Sequence, residues 1–475
     1  MLQKTRIGII FGGQSKEREI SFAGGRTVYD NLNKSLFEAV PVFVDSFGSF
    51  VELNWEFIYK GTIRDFYPPI EFLPLGDSHF QLYAENLGNL DETEQNKLIS
   101  KIGKKLSVSE LKQKIDFAFL CLHGPNGEDG RIQGLFEYYQ IPYSGSGILP
   151  SSIGIDKALQ KELMISKGFN SPNYITINRN HWIEGKAKNS FKNVKEKIGF
   201  PCVVKPANQG SSIGVSILNS EDEFQFMSAV EKALFTRWLD AKEWQGFSED
   251  EKTNYVKQLA DIREGIGMPI LISYPKELNT PIIYNPNELV SYLNMHLTKN
   301  GFVLESLDGE STVLVEGFIE GKEFSCIVLE DEAGRAIALP PTEIRKGKEL
   351  FDYRSKYLPG LSRKITPIDI PHEQIEDIRK ECEKLFYDLH FDVYARIDGF
   401  LAKDGKIFLN DPNTTSGMMP SSFFFHQAAE IGLNPSQFLT FIIRTSLAKR
   451  LIQSKGNVRY KQLLDNLDQH ILEDK

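Results

Sequence analysis

The sequence predicts a multidomain α/β protein, and three observations support this fold class. The chain has 475 residues, which is too long for one ordinary hydrophobic core. Its first apolar run, residues 6–13 (RIGIIFGG), is continuous and ends in two glycines, as in a parallel strand covered on both faces. Strand, helix and strand then alternate, again with glycine at a strand end. We therefore expect a doubly wound α/β domain at the N-terminus.

The composition excludes several classes of protein. Apolar residues make up 41% of the chain and charged residues 25%, as in globular proteins. The 4 cysteines form no CxxC pair, which argues against a disulfide framework or a zinc site and favours a reducing compartment. No apolar run is long enough for a signal peptide or a membrane span, and the net charge of −9 gives no support to nucleic-acid binding. We expect a cytoplasmic protein with neither a membrane nor a nucleic-acid partner.

Further elements follow in order along the first part of the chain. The pattern predicts a helix over 22–32 and apolar strands over 37–45 and 117–124. Residues 157–168 are typical of a helix that ends at a glycine. Residues 200–218 predict a strand, a Gly/Ser loop and a second strand.

After one further predicted helix, the composition of the chain changes. A capping box of Ser220 and Glu223 predicts the start of a helix. Over about 235–309 the charge density rises and a Pro/Asn-rich piece follows, which we interpret as an insertion with some helix. Residues 311–329 then predict strand, turn and strand, and 374–391 carry an apolar stripe at helical spacing.

A hairpin near the C-terminus carries the strongest chemical signal. The Asp-Gly pair at 404–405 predicts a two-residue turn. Counting back from this turn pairs Asp398 with Asp411, and Arg396 with Asn413, on one face. Two facing carboxylates repel each other unless a cation lies between them, and Mg²⁺ accepts such oxygen ligands. A slipped register or a solvated face is the alternative.

Two glycine-rich loops follow apolar strands. Residues 205–214 (KPANQGSSIG) place Lys205 before a loop whose N–H groups and hydroxyls suit phosphate oxygens. The GxxxxGK[ST] order of a Walker A motif is absent, and an ordinary flexible hairpin is the alternative. Residues 123–134 begin with His123 and carry four glycines, which allow a ligand to approach the backbone closely. For His123 the alternative is a hydrogen-bonded loop histidine.

Seven segments in sequence order resemble those of D-alanine–D-alanine ligases, a family with the ATP-grasp fold. They are FGGQSKEREIS, LHGPNGEDGRIQGLFEYYQIPYSGSG, DKALQK, VVKPANQGSSIGVS, VEGFIEGKEFS, FDYRSKY and RIDGFLAKDGKIFLNDPNTTSGM. The resemblance covers nearly the whole chain except the insertion and a longer first domain. It implies an α+β protein overall, with an N-terminal α/β domain (1–150), a central ATP-grasp subdomain with the insertion (151–315) and a C-terminal ATP-grasp subdomain (316–475).

The resemblance also implies a reaction. ATP phosphorylates the carboxylate of one D-alanine, and the amine of a second D-alanine attacks the acyl phosphate, which gives the dipeptide used in peptidoglycan synthesis. ATP and D-alanine are the implied small-molecule partners, with Mg²⁺ as the expected ion and Mn²⁺ as an alternative. Two copies are expected to form a homodimer. The polar segment 352–364 is the candidate for a lid that excludes water.

The resemblance assigns roles to individual residues. The catalytic positions are Glu17, Ser211, Tyr357, Arg396 and Gly417. Those that bind substrate are Glu17, His123, Lys356 and Ser422. Those that bind ATP are Lys157, Lys205, Ser212, Glu316, Phe318, Ile319 and Glu323. The metal ligands are Asp398, Asp411 and Asn413.

Departures from the family pattern keep alternatives open. Asp411 stands where the family usually has Glu, Gln209 and Ser416 are also unusual, and so is the insertion of about seventy residues. One alternative is an ATP-grasp ligase for a different amino acid or hydroxy acid. Another is a pseudoenzyme that binds nucleotide. A dinucleotide-binding dehydrogenase is discounted because the GxGxxG pattern is absent.

Overall fold

The computed structural model describes residues 4–74, 80–183, 187–273, 280–346 and 362–473. Within these residues the strands, in chain order, are β1 (Thr5–Gly12), β2 (Phe37–Val44), β3 (Phe50–Leu53), β4 (Gly103–Leu106), β5 (Phe117–Leu120), β6 (Tyr174–Asn178), β7 (Cys202–Pro206), β8 (Ser216–Leu218), β9 (Thr236–Leu239), β10 (Ile270–Ser273), β11 (Ile282–Ile283), β12 (Phe302–Ser306), β13 (Thr312–Gly317), β14 (Gly321–Glu330), β15 (Ala336–Ala338), β16 (Thr342–Lys346), β17 (Ser362–Ile365), β18 (Tyr394–Ala402) and β19 (Ile407–Asn413).

The α-helices of the same residues are α1 (Arg18–Asn31), α2 (Glu92–Ile99), α3 (Val108–Lys114), α4 (Arg131–Tyr139), α5 (Ile148–Ile155), α6 (Lys157–Ser166), α7 (Arg179–Ile183), α8 (Ala187–Lys197), α9 (Glu223–Leu234), α10 (Ala241–Gly246), α11 (Glu249–Ala260), α12 (Pro286–His296), α13 (His372–Asp388), α14 (Phe423–Glu430), α15 (Pro435–Gln453) and α16 (Val458–Glu473). None of these helices combines the length and the apolar character that crossing a membrane requires. The mixture of helices with four sheets confirms the predicted α/β class.

The first sheet has the strand order β4-β3-β2-β1-β5, in which β1 pairs in parallel with β2 and with β5. The continuous apolar run of β1 is explained by burial on both faces, as predicted. Ile9 and Phe11 belong to one core cluster, whereas Ile10 belongs to the cluster on the opposite face. Helix α1 begins at Arg18, four residues before the predicted start at 22.

The second sheet is antiparallel, with the order β6-β13-β7-β8. Strands β7 and β8 confirm the predicted strand–loop–strand unit. The predicted capping box is wrong, because the side chain of Asp222, not that of Ser220, accepts the hydrogen bond at the start of α9, from the N–H of Gln225. The N–H of Asp222 donates to the carbonyl of Ser220 at 2.9 Å, so the chain turns first and the helix begins two residues later.

The predicted insertion contains a third sheet as well as helices. Its antiparallel strands have the order β11-β10-β12-β9, and α10, α11 and α12 pack with them. Trp244 is fully buried in this core, where its indole N–H donates to Oδ1 of Asn294 at 3.0 Å. Two residues from outside the insertion, Ile20 and Ile213, belong to the same core cluster.

The fourth sheet has the order β17-β16-β14-β18-β19, and β15 pairs with β14. Strands β13 and β14 are both present where strand, turn and strand were predicted. They belong to different sheets, so the chain crosses from the second sheet to the fourth between them. The predicted helical stripe forms α13. The domain limits at 150 and 315 stay a prediction.

The Trp244 side chain gives a test of the insertion's core. We expect Trp244→Ala to lower the free energy of unfolding by about 3–5 kcal/mol, because it removes a large buried ring and leaves a cavity. Trp55→Ala is the matched control, since Trp55 is 64% exposed, and it should change stability by less than about 1 kcal/mol. Urea unfolding of the two variants measures both effects. Equal losses would contradict a packed core in the insertion.

Candidate active site

A pocket lies between the second and fourth sheets, and we call it the cleft pocket. Its walls come from β7, β8 and β13 on one side and from β18 and β19 on the other. Most of the predicted site residues line it, namely Lys157, Lys205, Ser211, Ser212, Glu316, Phe318, Ile319, Glu323, Arg396, Asp398, Asp411 and Asn413. The structure therefore brings together residues that are up to 256 positions apart in the chain, from Lys157 to Asn413.

Lys205 joins the two sheets across the cleft pocket. Its ammonium lies 2.7 Å from Oε1 of Glu316 and 3.2 Å from Oδ1 of Asp411. Glu316 also pairs with Lys161, at 2.6 Å. Burial by itself would lower the pKa of Lys205, but the charges of Asp411 and Glu316 raise it overall. Lys205 is thus held as a cation at the floor of the pocket.

The hairpin of β18 and β19 has a three-residue loop in place of the predicted two-residue turn. The N–H of Ala402 donates to the carbonyl of Lys406 at 2.9 Å, so these two residues close the loop. Gly405 has φ +82°, the left-handed conformation that such loops require at their last position. The strand register next to the loop therefore shifts by one residue from the prediction.

This shift changes which residues face each other. Asp398 pairs with Asn410, so the predicted pairing of Asp398 with Asp411 is wrong, whereas Arg396 pairs with Asn413 as predicted. A β-bulge between the two pairs takes up the extra residue, and Asp411 in this stretch has φ +43°. A bulge re-aims side chains, and both Asn410 and Asp411 line the cleft pocket. The carboxylates converge through the bulge and not through direct pairing.

The oxygen atoms at this point have the chemistry of a Mg²⁺ site. Oδ1 of Asp398 is buried and has no hydrogen-bond partner in the described part of the chain, while its Oδ2 accepts from the Arg396 guanidinium at 3.1 Å. The amide of Asn413 donates to the backbone carbonyl of Asp411. Two carboxylates and an amide oxygen suit a hard cation that keeps further ligands from water or phosphate. The described residues contain no metal-binding group of three or more His, Cys, Asp or Glu, so a cation here relies on this smaller set.

Glu17 stands at the start of α1, directly after the turn that Gly12 and Gly13 make at the end of β1. Its carboxylate is buried, Oε1 accepts a hydrogen bond from the Ser211 hydroxyl, and Oε2 has no partner among the described residues. Burial and then the charge of Glu128 raise the pKa of Glu17. Within the described residues this carboxylate forms no ion pair at salt-bridge distance, although the charges of His123 and Lys157 act on it from further away.

The loop after β7 approaches Glu17 closely. A Cβ atom added to Gly210 would lie 2.7 Å from Oε2 of Glu17, so a side chain here would displace the Glu17 carboxylate. Ser211 and Ser212 follow with φ of +53° and +60°. Two consecutive non-glycine residues in the left-handed region are strained, and such strain occurs at ligand-binding loops.

His123 lies behind Glu17 and pairs with Glu128. The imidazole Nδ1 is 3.8 Å from Oε2 of Glu128, which also accepts from the Thr415 hydroxyl, while Oε1 accepts from the N–H of Gly124 at 2.9 Å. Burial alone would lower the pKa of His123, but the adjacent carboxylate of Glu128 raises it. The same partners hold the pKa of Glu128 below its ordinary value despite burial. His123 lines neither the cleft pocket nor the pocket beside it.

A second pocket adjoins the first, and we call it the adjoining pocket. The two pockets share Ser211, Arg396 and Asp398 as a common wall. The guanidinium of Arg396 donates to the Ser416 hydroxyl at 3.2 Å on this wall. The predicted residues Gly417 and Ser422 line the adjoining pocket. Arg396 therefore faces both pockets.

Two predicted residues, Lys356 and Tyr357, lie outside the described residues, as does most of the predicted lid at 352–364. The sequence reasoning missed four other residues of the two pockets and their surroundings, namely Glu128, Lys161, Lys364 and Asn410. Glu128 and Lys161 stand within quoted motifs, but motif matching by itself assigned them no charge partner. Asn410 lies in the cleft pocket because of the β-bulge, and the alternation of side chains along a strand does not reveal a bulge.

Two family models match the chain. The D-ala D-ala ligase N-terminus matches residues 6–146, and the D-ala D-ala ligase C-terminus matches residues 163–239 and 239–444. The chain belongs to the D-alanine–D-alanine ligase family. The matched residues include every described lining residue of both pockets except Lys157, so the geometry above is that of a member of this family.

Individual relatives agree with this assignment over nearly the full length. The chain is 25% identical over 457 residues to the D-alanine–D-alanine ligase of Geobacillus thermodenitrificans, covering 96% of this chain and 99% of that one. The VanG D-Ala:D-Ser ligase from Enterococcus faecalis superposes with a TM-score of 0.60 at 22% identity, over 94% and 100% of the two chains. The D-alanine–D-alanine ligase of Bacillus anthracis gives 0.56 at 25% identity, over 94% and 99%. These likenesses confirm the ATP-grasp fold.

The His123–Glu128 pair predicts a pH-dependent stability. Because the pKa of His123 is raised above its ordinary 6.5, its stabilisation is complete below that pH and is lost as the pH rises through the folded pKa. His123→Gln should therefore cost about 3 kcal/mol near pH 6, as for other broken buried pairs, and progressively less at higher pH. Urea unfolding across this range measures the trend. His372→Gln, at the exposed start of α13, is the control and should show a small loss without that slope. A loss that grows with pH would contradict the assignment.

Proposed function

We propose that the chain is an ATP-dependent ligase that joins two D-alanines into D-alanyl-D-alanine for peptidoglycan synthesis. The observation that carries this proposal is the common wall of the two pockets. A phosphoryl donor in the cleft pocket and an amine in the adjoining pocket would meet at Arg396. Membership of the D-alanine–D-alanine ligase family and the names of the relatives support the same reaction.

ATP would occupy the cleft pocket. Lys157 and Lys205 offer cations to its phosphates, and the loop with Ser211 and Ser212 offers hydroxyls and backbone N–H groups. Val203, Ile217 and Phe400 line the pocket with apolar surface for the base. The purine edge and the ribose would bind along the part of the wall formed by Glu316, Phe318, Ile319 and Glu323. An apolar wall for the base beside charged and polar groups for the phosphates suits a nucleotide.

The first D-alanine would bind beside Glu17. Among the described residues nothing donates a hydrogen bond to Oε2 of this buried carboxylate. A cationic donor would stabilise its charged form, and the substrate ammonium would supply one. Ser211 would keep its hydrogen bond to Oε1 and so hold the carboxylate in place. His123 would act through Glu128, as a positioning residue behind the substrate.

The reaction then needs two transfers. An oxygen of the first D-alanine's carboxylate attacks the γ-phosphorus of ATP, and the bond to ADP breaks. The amine of the second D-alanine attacks the resulting acyl carbon, loses a proton, and phosphate leaves. Arg396 and the backbone N–H of Gly417 would stabilise the negative charge that develops on the acyl oxygen. Lys157 and Lys205 would offset the charge of the phosphoryl group.

Mg²⁺ would be held by Asp398, Asp411 and Asn413, with Mn²⁺ as the alternative ion. When bound, the ion would neutralise negative charge on the phosphates. The unpartnered Oδ1 of Asp398 supports this assignment, since a buried carboxylate oxygen is unfavourable without a partner. Asp411, shorter than Glu, would still reach the site because the bulge turns it there.

Other parts of the proposal rest on the family and on composition. The three-domain division, a homodimer, and roles for Lys356 and Tyr357 near the second substrate follow from the resemblance. A cytoplasmic location fits four free cysteines, all of them buried. Neither a membrane nor a nucleic acid is part of the proposed reaction.

The proposal is tested by phosphate release from ATP and Mg²⁺ with D-alanine, with mass spectrometry of the product. We expect turnover and the D-alanyl-D-alanine dipeptide with D-alanine alone. D-Serine, D-lactate and L-alanine are the matched acceptors, each added with and without D-alanine. If phosphate is released only with another amino acid, the chain is a ligase for that amino acid. If no acceptor gives phosphate release, a nucleotide-binding pseudoenzyme is favoured.

Arg396→Ala should separate chemistry from nucleotide binding. Because the guanidinium faces the reacting atoms and not the base, we expect kcat to fall by about 10²–10³-fold. The Kd for ATP should change by less than about 3-fold, which is less than the loss of one hydrogen bond would cause. Steady-state kinetics and calorimetric titration with ATP measure the two quantities. Arg335→Ala, with a 75% exposed side chain, is the control. A large loss of ATP affinity at unchanged kcat would argue against this role.

A further inference from the structure

One buried carboxylate that lines neither pocket has no role so far. Glu310 is the first residue after the insertion, directly before β13, and it is 4% exposed. Its Oε2 accepts a hydrogen bond from the side-chain amide of Asn208 at 3.2 Å. The side-chain amide of Gln209 and the backbone N–H of Asn208 face the same carboxylate as donors. All three donors belong to the segment that leads into Ser211 and Ser212.

The backbone of Glu310 is itself held in place. Its N–H donates to the carbonyl of Leu234, the last residue of α9, at 3.3 Å. Its carbonyl accepts from the guanidinium of Arg179, the first residue of α7, at 3.3 Å. Arg179 also forms an ion pair with Glu305 of the insertion. The Glu310 carboxylate therefore starts from a point that two helices and the insertion fix together.

Lys157 contacts the same segment of the loop. Its ammonium donates to the carbonyl of Gln209 at 2.7 Å, and its N–H donates to the carbonyl of Ala207 at 3.0 Å. Gln209 is therefore held through its side chain by Glu310 and through its carbonyl by Lys157. Both Lys157 and Gln209 line the cleft pocket. A contact outside the pocket thus helps to set where a lysine proposed to bind phosphate stands.

The conformation of the loop needs such support. Ser211 and Ser212 have φ values of +53° and +60°, which non-glycine residues keep only when their surroundings impose them. Burial raises the pKa of Glu310, and the hydrogen bonds from Asn208 and Gln209 offset this only in part. A carboxylate removed from water in this way is stabilised by the donors of the loop, and it fixes those donors in return.

We propose that Glu310 is a positioning residue that holds residues 208–212 in the conformation that receives the triphosphate of ATP. The insertion, which helps to fix Glu310, would in this way preset the ATP site. The inference rests on the proposed function, since it concerns the phosphate donor of that reaction. Because Glu310 does not line the cleft pocket, it acts through Gln209 and Lys157 and not by touching the nucleotide.

The test compares two ligands that differ only in the phosphates. Calorimetric titration gives the Kd of ATP with Mg²⁺ and the Kd of adenosine for the wild type, Glu310→Gln, Asn208→Ala and the double variant. Glu310→Gln keeps the size of the side chain but leaves one acceptor oxygen, and its amide group would face the donors of the loop. Asn208→Ala removes a donor from the other side of the same contact.

We expect the Kd for ATP to rise about 10-fold in Glu310→Gln, the size of a lost hydrogen bond to a charged group. The Kd for adenosine should change by less than about 3-fold, because the base and the ribose would bind along another part of the wall. Asn208→Ala should also weaken ATP and not adenosine. The double variant should bind ATP within about 3-fold of Glu310→Gln, since both changes break one contact.

Glu330→Gln is the matched control. Glu330 is also buried, and it accepts from the ammonium of Lys449 and from the N–H of Val393, each at 2.8 Å. It lies at the end of β14 and lines neither pocket. This variant should lose stability in urea unfolding, while both Kd values stay within about 3-fold of the wild type.

The outcomes separate this inference from the proposed function. If Glu310→Gln and Asn208→Ala weaken ATP and adenosine equally, or weaken neither, Glu310 does not position the loop for the phosphates. A loss specific to ATP in Glu330→Gln would also overturn the inference, because the loss would then follow from destabilisation in general. The dipeptide assay of the wild type is run in parallel. A wild type that binds ATP but makes no dipeptide contradicts the proposed function alone, and a wild type that binds no ATP contradicts both.

Discussion

The cleft depends on a buried lysine that two sheets share. Lys205 is almost fully buried, and a lone ammonium in that position would be strongly unfavourable. It is stable because Glu316 of the second sheet and Asp411 of the fourth both pair with it. Lys161 completes an alternating row of two cations and two anions. Because the row crosses from one sheet to the other, the charge requirement of Lys205 fixes how the two walls of the cleft face each other.

The same row is suited to receive a nucleotide phosphate. Glu316 is held by two lysines, at 2.6 and 2.7 Å, whereas the contact of Lys205 with Asp411 is longer, at 3.2 Å. A phosphate that approaches Lys205 therefore competes with the weaker of its two partners. A phosphate on Lys205 would weaken the hold of this lysine on Asp411, which lines the same pocket as Asp398, and two such carboxylates suit a divalent cation. The proposed binding of ATP and of Mg²⁺ would thus favour each other through one side chain.

The sequence predicts most residues of the site but not the register of the two strands that carry Asp398 and Asp411. Lys205 and Glu316 could be placed by motif, and the strand pattern puts them on one face of the sheet, since Lys205 faces Leu314 and Glu316 is two residues further along. The pairing of Asp398 could not be derived, because an Asp-Gly pair fits a two-residue turn and a three-residue loop equally well. The bulge at Asp411 gives no signal in the alternation of polar and apolar residues. The sheet of the insertion was also missed, since its short strands alternate with charged helices.

The insertion is part of the site's architecture and not an appendage to it. Its core cluster includes Ile20, which is three residues after Glu17, and Ile213, which is two residues after Ser211. In addition the buried ammonium of Lys16 donates to the carbonyl of Ile266 at 2.7 Å and lies 4.5 Å from the ring centre of Phe235. The loops that carry Glu17 and Ser211 are therefore each anchored in this core by a neighbouring apolar side chain.

This anchoring has a consequence for how the site forms. The Glu17–Ser211 hydrogen bond joins two segments that are 194 residues apart in the chain. A core that includes Ile20 and Ile213 is complete only when both loops are in place. The packing of the insertion and the pairing of Glu17 with Ser211 therefore support each other, because the same buried surface stabilises both.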